Sequence, residues 1–429
     1  MRPAEGTTHR FARVLKVPNF RAVYLAGLTS QSGRTIASVA IIWIVFATTK
    51  SAMDVAYVGI VELAATIAFT LPSGVWIDRY DRVRLMVAAD LIRAVTLGGL
   101  TVAFLWEGFQ LSFVLVAMFV VSAASVLFQP AEQTLFPAIL PPEDLADANG
   151  LNLASRSLVS LVSNSIGGIL VITVGAVLGI LYNSLTFVVS SLFLLSVYRA
   201  LRLAHQASRK PRPAPPRMLR ELSEGFGWLI HQAPGLWQLS VSALFMNFFS
   251  TVFTTFVVVY VVENLHGTSL TYGLFLATMT AGSAIGVLLV GRTAAVRHVG
   301  KVWVLGYGIG SGLGLLGLSL VSAPTLAFPL VFSYVVFSSF AGNTWLTAAQ
   351  TMVPTGVQGR YFALDGLLSW GVLPVSQIVG GVLIGKYGIS PTIEFAGAGL
   401  LLSGVFSLAG RKLWRLDPTP LPALPEAPS

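Results

Sequence analysis

Gly74-Val75-Trp76-Ile77-Asp78-Arg79-Tyr80-Asp81-Arg82-Val83-Arg84 decides how this chain is read. Five of its eleven residues are ionised, two Asp and three Arg. Apolar runs flank it at 52–73 and 85–105, and each is long enough to cross the ~30 Å hydrocarbon core of a bilayer as a helix. So short a link makes the two helices antiparallel neighbours and puts its charges on one membrane face, in water or headgroups. The mixed signs point beyond a plain positive anchor. Carboxylates beside guanidiniums predict a structured ion-pair cluster, able also to touch a helix N-terminus.

The composition agrees. Of 429 residues, 55% are hydrophobic and 10% charged, with mean hydropathy +0.77. A soluble domain is about a quarter charged, and one globular core cannot hold this much apolar surface, so the bilayer is the expected solvent. The net charge of +9 does not indicate nucleic acid, because the basic residues mark loops and form no single patch. With no cysteine, disulfides, iron–sulfur clusters and thiolate zinc sites are excluded. His9, His205, His231, His266 and His298 are scattered singly, so no metal site is expected. There is no His-Glu-x-x-His, no nucleophile pairing and no Gly-x-x-x-x-Gly-Lys loop, which argues against an enzyme and against direct use of ATP. No cleavable signal peptide is expected either. The first nineteen residues are basic and polar, and the apolar run after them is too long for an h-region.

Runs of spanning length occur at 20–48, 52–74, 84–105, 111–136, 149–173 and 176–198, then at 234–262, 268–291, 302–322, 325–352, 360–386 and 390–410. The fold class expected is all-α integral membrane, with twelve transmembrane helices in two six-helix bundles. The bundles occupy 1–198 and 234–412; a basic, Pro-rich linker lies at 199–233 and a disordered tail at 413–429. After Pro216 the linker could form an amphipathic surface helix with Leu219, Leu222, Phe226 and Leu229 on one face, or remain a plain basic tether. Even parity puts both termini on one side. Of 27 Lys and Arg, 22 fall on that side and only Lys50 and Lys386 on the other, which predicts cytoplasmic termini, hinge and linker.

The halves repeat. Gln133-Thr134-Leu135-Phe136-Pro137 recurs as Gln350-Thr351-Met352-Val353-Pro354, Gly167-Gly168 as Gly380-Gly381, and Gly74 has a counterpart at Gly291-Arg292. A duplicated six-helix unit implies two bundles related by an axis along the membrane normal, with a site between them at mid-depth.

Twelve spans, the six-plus-six repeat, the basic linker and this hinge resemble a major facilitator superfamily transporter. The family's hinge signature, Gly-x-Leu-Ala-Asp-Arg-x-Gly-Arg-Arg/Lys, is matched by Gly74, Asp78, Arg79 and Arg82, while Trp76 replaces the Leu and Asp81 the second Gly. The Asp-Arg-x-Asp-Arg variant, Ala-Asp-Leu-Ile-Arg-Ala at 89–94, Phe-Gln-Pro-Ala at 128–131 and Ala148-Asn149 look like the third drug–proton antiporter group, which includes macrolide and enterobactin exporters. Many antiporters carry Gly-x-x-x-Gly-Pro-x-x-Gly-Gly in helix 5. Here Gly167-Gly168 hold the last two positions, and Ser163 and Asn164 replace Gly-Pro. The second half lacks the charge cluster, since the equivalent of Asp78 is Ala295.

An ionisable side chain inside a span costs about 2.5–3.5 kcal/mol on insertion scales unless it faces protein or water, so each is a functional candidate. Glu62 near the middle of span 2 reads as a proton-titrating carboxylate facing the cavity, or as a structural hydrogen bond to another helix. Arg34 in span 1, among Ser30, Gln31, Ser32 and Thr35, reads as its partner or as a site for an anionic substrate. Asn164 is grouped with this proton-coupling cavity. Asp90 and Arg93 share a helix face. The resemblance assigns them to a cytoplasmic gate with Gly74, Asp78, Arg79, Asp81, Arg82 and Asp365. Glu132, at the inner end of span 4, stands like Asp365, and Arg156 could snorkel. The aromatics, Trp43, Phe245, Phe249, Trp345 and Trp370 among them, could wall an apolar substrate site or face lipid.

The leading expectation is a secondary transporter that exports hydrophobic or amphipathic compounds by proton antiport with alternating access. It would sit in a bacterial inner membrane as a monomer, with a small-molecule substrate and the lipid bilayer as partners, and would need no cofactor beyond the proton gradient. The alternatives are an uptake facilitator for a small solute and an uncoupled lipid flippase, scramblase or receptor.

Overall fold

A backbone in hydrocarbon must satisfy its own N–H and C=O groups, and apolar runs of this length do so as helices. The structure, a computed structural model, describes residues 7–196, 198, 226–227, 229–293, 295–409, 414 and 416. Among these residues there are twelve helices long and apolar enough to cross a membrane, and no strand. They are numbered here as spans 1 to 12: Pro18–Thr49, Ala52–Thr70, Arg82–Trp106, Leu111–Pro137, Pro142–Val174, Ala176–Ser196, Pro234–Asn264, Ser269–Gly291, Ala295–Ser319, Pro324–Met352, Leu364–Tyr387 and Ile389–Leu408. Each covers one of the runs read from the sequence.

Local chemistry sets the ends. Pro18, Pro234 and Pro324 each open a span, where the missing N–H is no loss. Ser51 accepts from the Asp54 backbone N–H at 3.2 Å to start span 2, and Asp81 accepts from the Arg84 N–H at 3.0 Å to start span 3. Spans 5 and 11 both end at a glycine with positive φ, Gly175 at 91° and Gly388 at 84°. These turns stand at equivalent places in the two halves and extend the repeat from sequence into backbone.

The chain divides into two compact units. The first comprises residues 1–212 together with 268–277, so the opening turns of span 8 pack with the first half. A cluster in this unit joins Phe20, Tyr24, Met86, Phe128, Phe136 and Leu194, with the Phe20 and Phe136 rings edge to face at 5.2 Å. The sequence read the N-terminal segment as a polar tail. Instead, Thr7–Leu15 is a helix whose Val14 is fully buried and whose Arg13 pairs with Asp144 at 2.6 Å.

The second unit comprises residues 213–267 and 278–429. Two of its spans are interrupted. Span 7 runs as Pro234–Thr254, a short Val257–Val259 turn and a π-helical Tyr260–Asn264. Span 9 is π-helical over Trp303–Gly310 before it returns to α-helix at Ser311–Ser319. Such widened turns commonly mark functional positions. Most of the linker at 199–233 and of the tail from 413 lies outside the described residues, Leu219 and Leu222 included. Of that proposed helix, Leu229 is buried and the Phe226 ring meets Trp237 at 5.4 Å.

Apolar side chains stand exposed along whole spans, Leu91, Val95 and Leu105 on span 3 and Leu402, Val405 and Phe406 on span 12. In water each would forfeit about 25 cal/mol per Å² left uncovered. In lipid the penalty vanishes, which is the setting these faces require.

Candidate functional site

In the first unit the ionisable side chains inside the spans fall into three environments. Asp90 and Arg93 form an ion pair one helical turn apart on span 3, with both side chains fully buried. Ser190 of span 6 donates to the second Asp90 oxygen at 2.7 Å, and Arg93 also donates to the Ala89 carbonyl at 3.2 Å. The guanidinium lies 4.9 Å from the Phe128 ring centre and 4.3 Å from that of Phe187. A charge held by a carboxylate, a carbonyl and two aromatic faces ties spans 3, 4 and 6 together. Asp90 and Arg93, assigned to a gate by the resemblance, stand here as a buried pair that ties these three spans.

The second environment is a polar track where span 1 meets spans 4 and 5. Tyr24 donates to Ser155 at 2.5 Å, and Gln31 donates to Ser160 at 2.8 Å. Arg156 pairs with Glu132 at 2.5 Å and donates to Asn152 at 3.2 Å. Gly27 makes room for this pair, since a Cβ there would stand 2.5 Å from Glu132 Oε1 and 2.8 Å from Arg156 Nη2. Arg156 thus has a partner inside the protein and does not snorkel. Arg34, midway along span 1, donates to Gln31 and is otherwise exposed.

Glu62 makes up the third. It is half-buried on span 2, and its carboxylate has no hydrogen bond or ion pair to any described residue. The expected Glu62–Arg34 pair does not form. Span 2 packs along span 4 much more than along span 1, which keeps the two side chains apart.

Asn164, grouped by the sequence with the proton-coupling cavity, lies at a helix contact. It is buried where span 5 meets the start of span 8, and its carbonyl would lie 2.5 Å from a Cβ on Gly273. A Cβ on Gly168 would lie 2.5 Å from the Ser269 carbonyl, and Ser269 in turn donates to the Gly168 carbonyl at 3.1 Å. Small residues let these helices touch backbone to backbone. Asn164 therefore stands at that contact.

At the hinge, Gly74, Asp78 and Arg79 close the helix Ala52–Arg79, but their side chains lie outside the described residues. Asp81 caps span 3, and Arg82 is half-buried. Arg84 donates to the Tyr198 hydroxyl and lies over its ring at 5.5 Å.

The second unit holds an open cavity of about 510 Å³. Trp303 and Tyr307, one turn apart on the π-helical stretch of span 9, line it together with Trp345, Phe362 and Trp370. Asn247, Ser283, Ser338, Ser339 and Ser369 supply polar groups, and no Lys, Arg or His is among the lining residues. Tyr307 donates to Asn247 at 3.2 Å, and the Trp303 indole N–H donates to Ser242 at 3.1 Å. Asp365 also lines this cavity. It is 4% exposed and accepts from Ser240 at 2.8 Å. Read from the sequence as a gate residue, it stands here in this cavity wall, held by Ser240 of span 7. A second, more apolar groove of about 590 Å³ is lined by Trp237, Phe245, Phe249 and Phe406. The sequence reading named Trp345, Trp370, Phe245 and Phe249 as candidate walls but missed Trp303, Tyr307 and Asn247. The available signal was Trp303 and Tyr307 at i and i+4 within a run unusually rich in glycine.

The pattern of a family described as "Transmembrane secretion effector" matches residues 10–419. The chain is 22% identical over 408 residues to macrolide efflux protein A of Streptococcus pyogenes, covering 93% of this chain and 97% of that protein. It is 24% identical over 409 residues to the multidrug efflux pump Tap of Mycolicibacterium fortuitum, covering 92% and 96%. Among solved structures it is similar to a bacterial homologue of the iron transporter ferroportin in an inward-facing state, with TM-score 0.67 and 16% identity, covering 91% of this chain and 98% of that one. It is also similar to a D-xylose–proton symporter, with TM-score 0.68 and 13% identity, covering 94% and 98%. At such identities the structural likeness speaks for the fold.

Proposed function

The chain belongs to the transmembrane secretion effector family, a major facilitator branch of multi-pass transporters for small molecules, and we propose that it exports hydrophobic or amphipathic compounds by proton antiport with alternating access. The efflux names of its relatives and the aromatic cavity of the second unit support the substrate class.

The observation that carries the coupling is the state of Glu62. Four carboxylates within the spans are candidates for coupling, Glu62, Asp90, Glu132 and Asp365; Asp90 and Glu132 are ion-paired and Asp365 accepts from Ser240. Glu62 alone among these has no partner among the described residues. With no cation to compensate it, the charged form requires water, while the neutral form tolerates apolar packing. Loading and unloading a proton there shifts the balance between states that expose span 2 to water and states that cover it. The positive-inside count supports a plasma-membrane orientation with cytoplasmic termini, in which a proton entering from outside drives an outward-moving substrate.

Reconstitution tests this reading. In liposomes loaded with a pH-sensitive dye, wild-type protein is expected to move a hydrophobic dye substrate against its gradient when a pH gradient is imposed, and to move protons the opposite way. Equal transport with and without the pH gradient would exclude antiport.

A further inference from the structure

The cavity of the second unit holds an acid with no base. Asp365 is 4% exposed and lines a space of about 510 Å³, a volume within the range of sites for drug-sized ligands, roughly 300–1,000 Å³. It accepts a hydrogen bond from a neutral hydroxyl, that of Ser240 at 2.8 Å. No ion pair to it is formed by any described residue, and the lining residues include no Lys, Arg or His. One hydroxyl offsets only part of the desolvation cost of a buried carboxylate's charge, and no opposite charge offsets the rest.

The rest of the wall matches the missing partner. Trp303 and Trp345 have ring centres 6.4 Å apart, Trp345 and Phe362 6.5 Å apart, and Trp370 adds a further indole. Indole faces attract a cation electrostatically, and the attraction strengthens where water is excluded. An amine or quaternary centre in this space would meet a carboxylate and several ring faces at once. Its apolar body would cover the same rings. An anionic compound would be repelled by Asp365 and would find no cation in the wall.

We propose that this cavity recognises amphipathic organic cations, with Asp365 as the counter-ion and Trp303, Trp345 and Trp370 as the aromatic wall. The inference rests on the export reading and narrows its substrate class. It assigns to Asp365 substrate charge selection, separate from the proton site at Glu62.

The test is equilibrium binding to the purified full chain in lipid nanodiscs, with no gradient, so that a failure of proton coupling leaves the result unaffected. The probes are tetraphenylphosphonium and the uncharged triphenylphosphine oxide. Wild-type protein is expected to bind the cation at least about tenfold more tightly than the neutral probe. Asp365→Asn should remove that preference, and Asp365→Glu should keep it. Equal affinities for the two probes in wild type, or an undiminished cation preference in Asp365→Asn, would overturn the proposal. A second measurement requires no variant. Carbodiimide labelling of Asp365, read by mass spectrometry, should be suppressed by saturating tetraphenylphosphonium and not by the neutral probe, whereas unchanged labelling with the cation bound would refute the assignment.

Discussion

Arg93 Nη2 donates to Asp90 Oδ1 one helical turn earlier, and neither side chain reaches solvent. Removing one member leaves the other charge buried alone, a loss of about 3–5 kcal/mol for pairs of this kind. Arg93→Leu should therefore lower the thermal midpoint sharply in a detergent melt. The double variant Asp90→Leu/Arg93→Met should recover much of that loss, because it removes both desolvation penalties. If the single variant melted like wild type, Arg93 would not be the structural tie described here.

Gly168 and Gly273 bring span 5 and the start of span 8 into backbone contact. A Cβ at Gly168 would lie 2.5 Å from the Ser269 carbonyl, so the helices must part for any larger residue. Gly168→Val is expected to reduce transport by roughly tenfold or more in the liposome assay, following the general cost of overpacking, about 1–3 kcal/mol. Wild-type rates would show that the contact is dispensable to the cycle.

The fold was legible because its signals are long-range and redundant: apolar runs of spanning length, the asymmetry of basic residues and three repeated motifs. The side-chain pairings were less so. Arg34 and Glu62 were matched because they were the unpaired opposite charges on neighbouring spans. Their helical phases and the packing of span 2 on span 4 decide otherwise, and neither follows from spacing alone. Asp365 looked like a gate residue by its position at a helix start. Only the fold reveals that Ser240, 125 residues away in sequence, turns it into the wall of an aromatic cavity. The π-helical turns that present Trp303 and Tyr307 have no simple sequence signature.

Gly27 should prove more sensitive to substitution than its size suggests. A methyl there would meet Glu132 Oε1 at 2.5 Å and Arg156 Nη2 at 2.8 Å. Gly27→Ala is expected to lower the melting midpoint by displacing the buried pair. Gly99→Ala, where a Cβ meets nothing within 4 Å, should be neutral or stabilising by up to about 1 kcal/mol from helix propensity. Equal effects at the two positions would contradict the packing around Glu132.

The absence of native cysteine makes the expected orientation simple to measure. Single cysteines at Ser208 in the linker and Lys50 between spans 1 and 2 should react with an impermeant maleimide from opposite sides. In intact cells only Lys50→Cys should be labelled, and Ser208→Cys only after the membrane is opened. The reverse pattern would invert the topology.

Proton movement is expected to meet substrate movement at the carboxylate of Glu62, and Glu62→Gln tests this. In liposomes with an imposed pH gradient, the variant should lose gradient-driven substrate uphill movement and the accompanying proton flux, while still binding substrate at equilibrium. If Glu62→Gln sustained both fluxes at the wild-type rate, the account of coupling would be wrong.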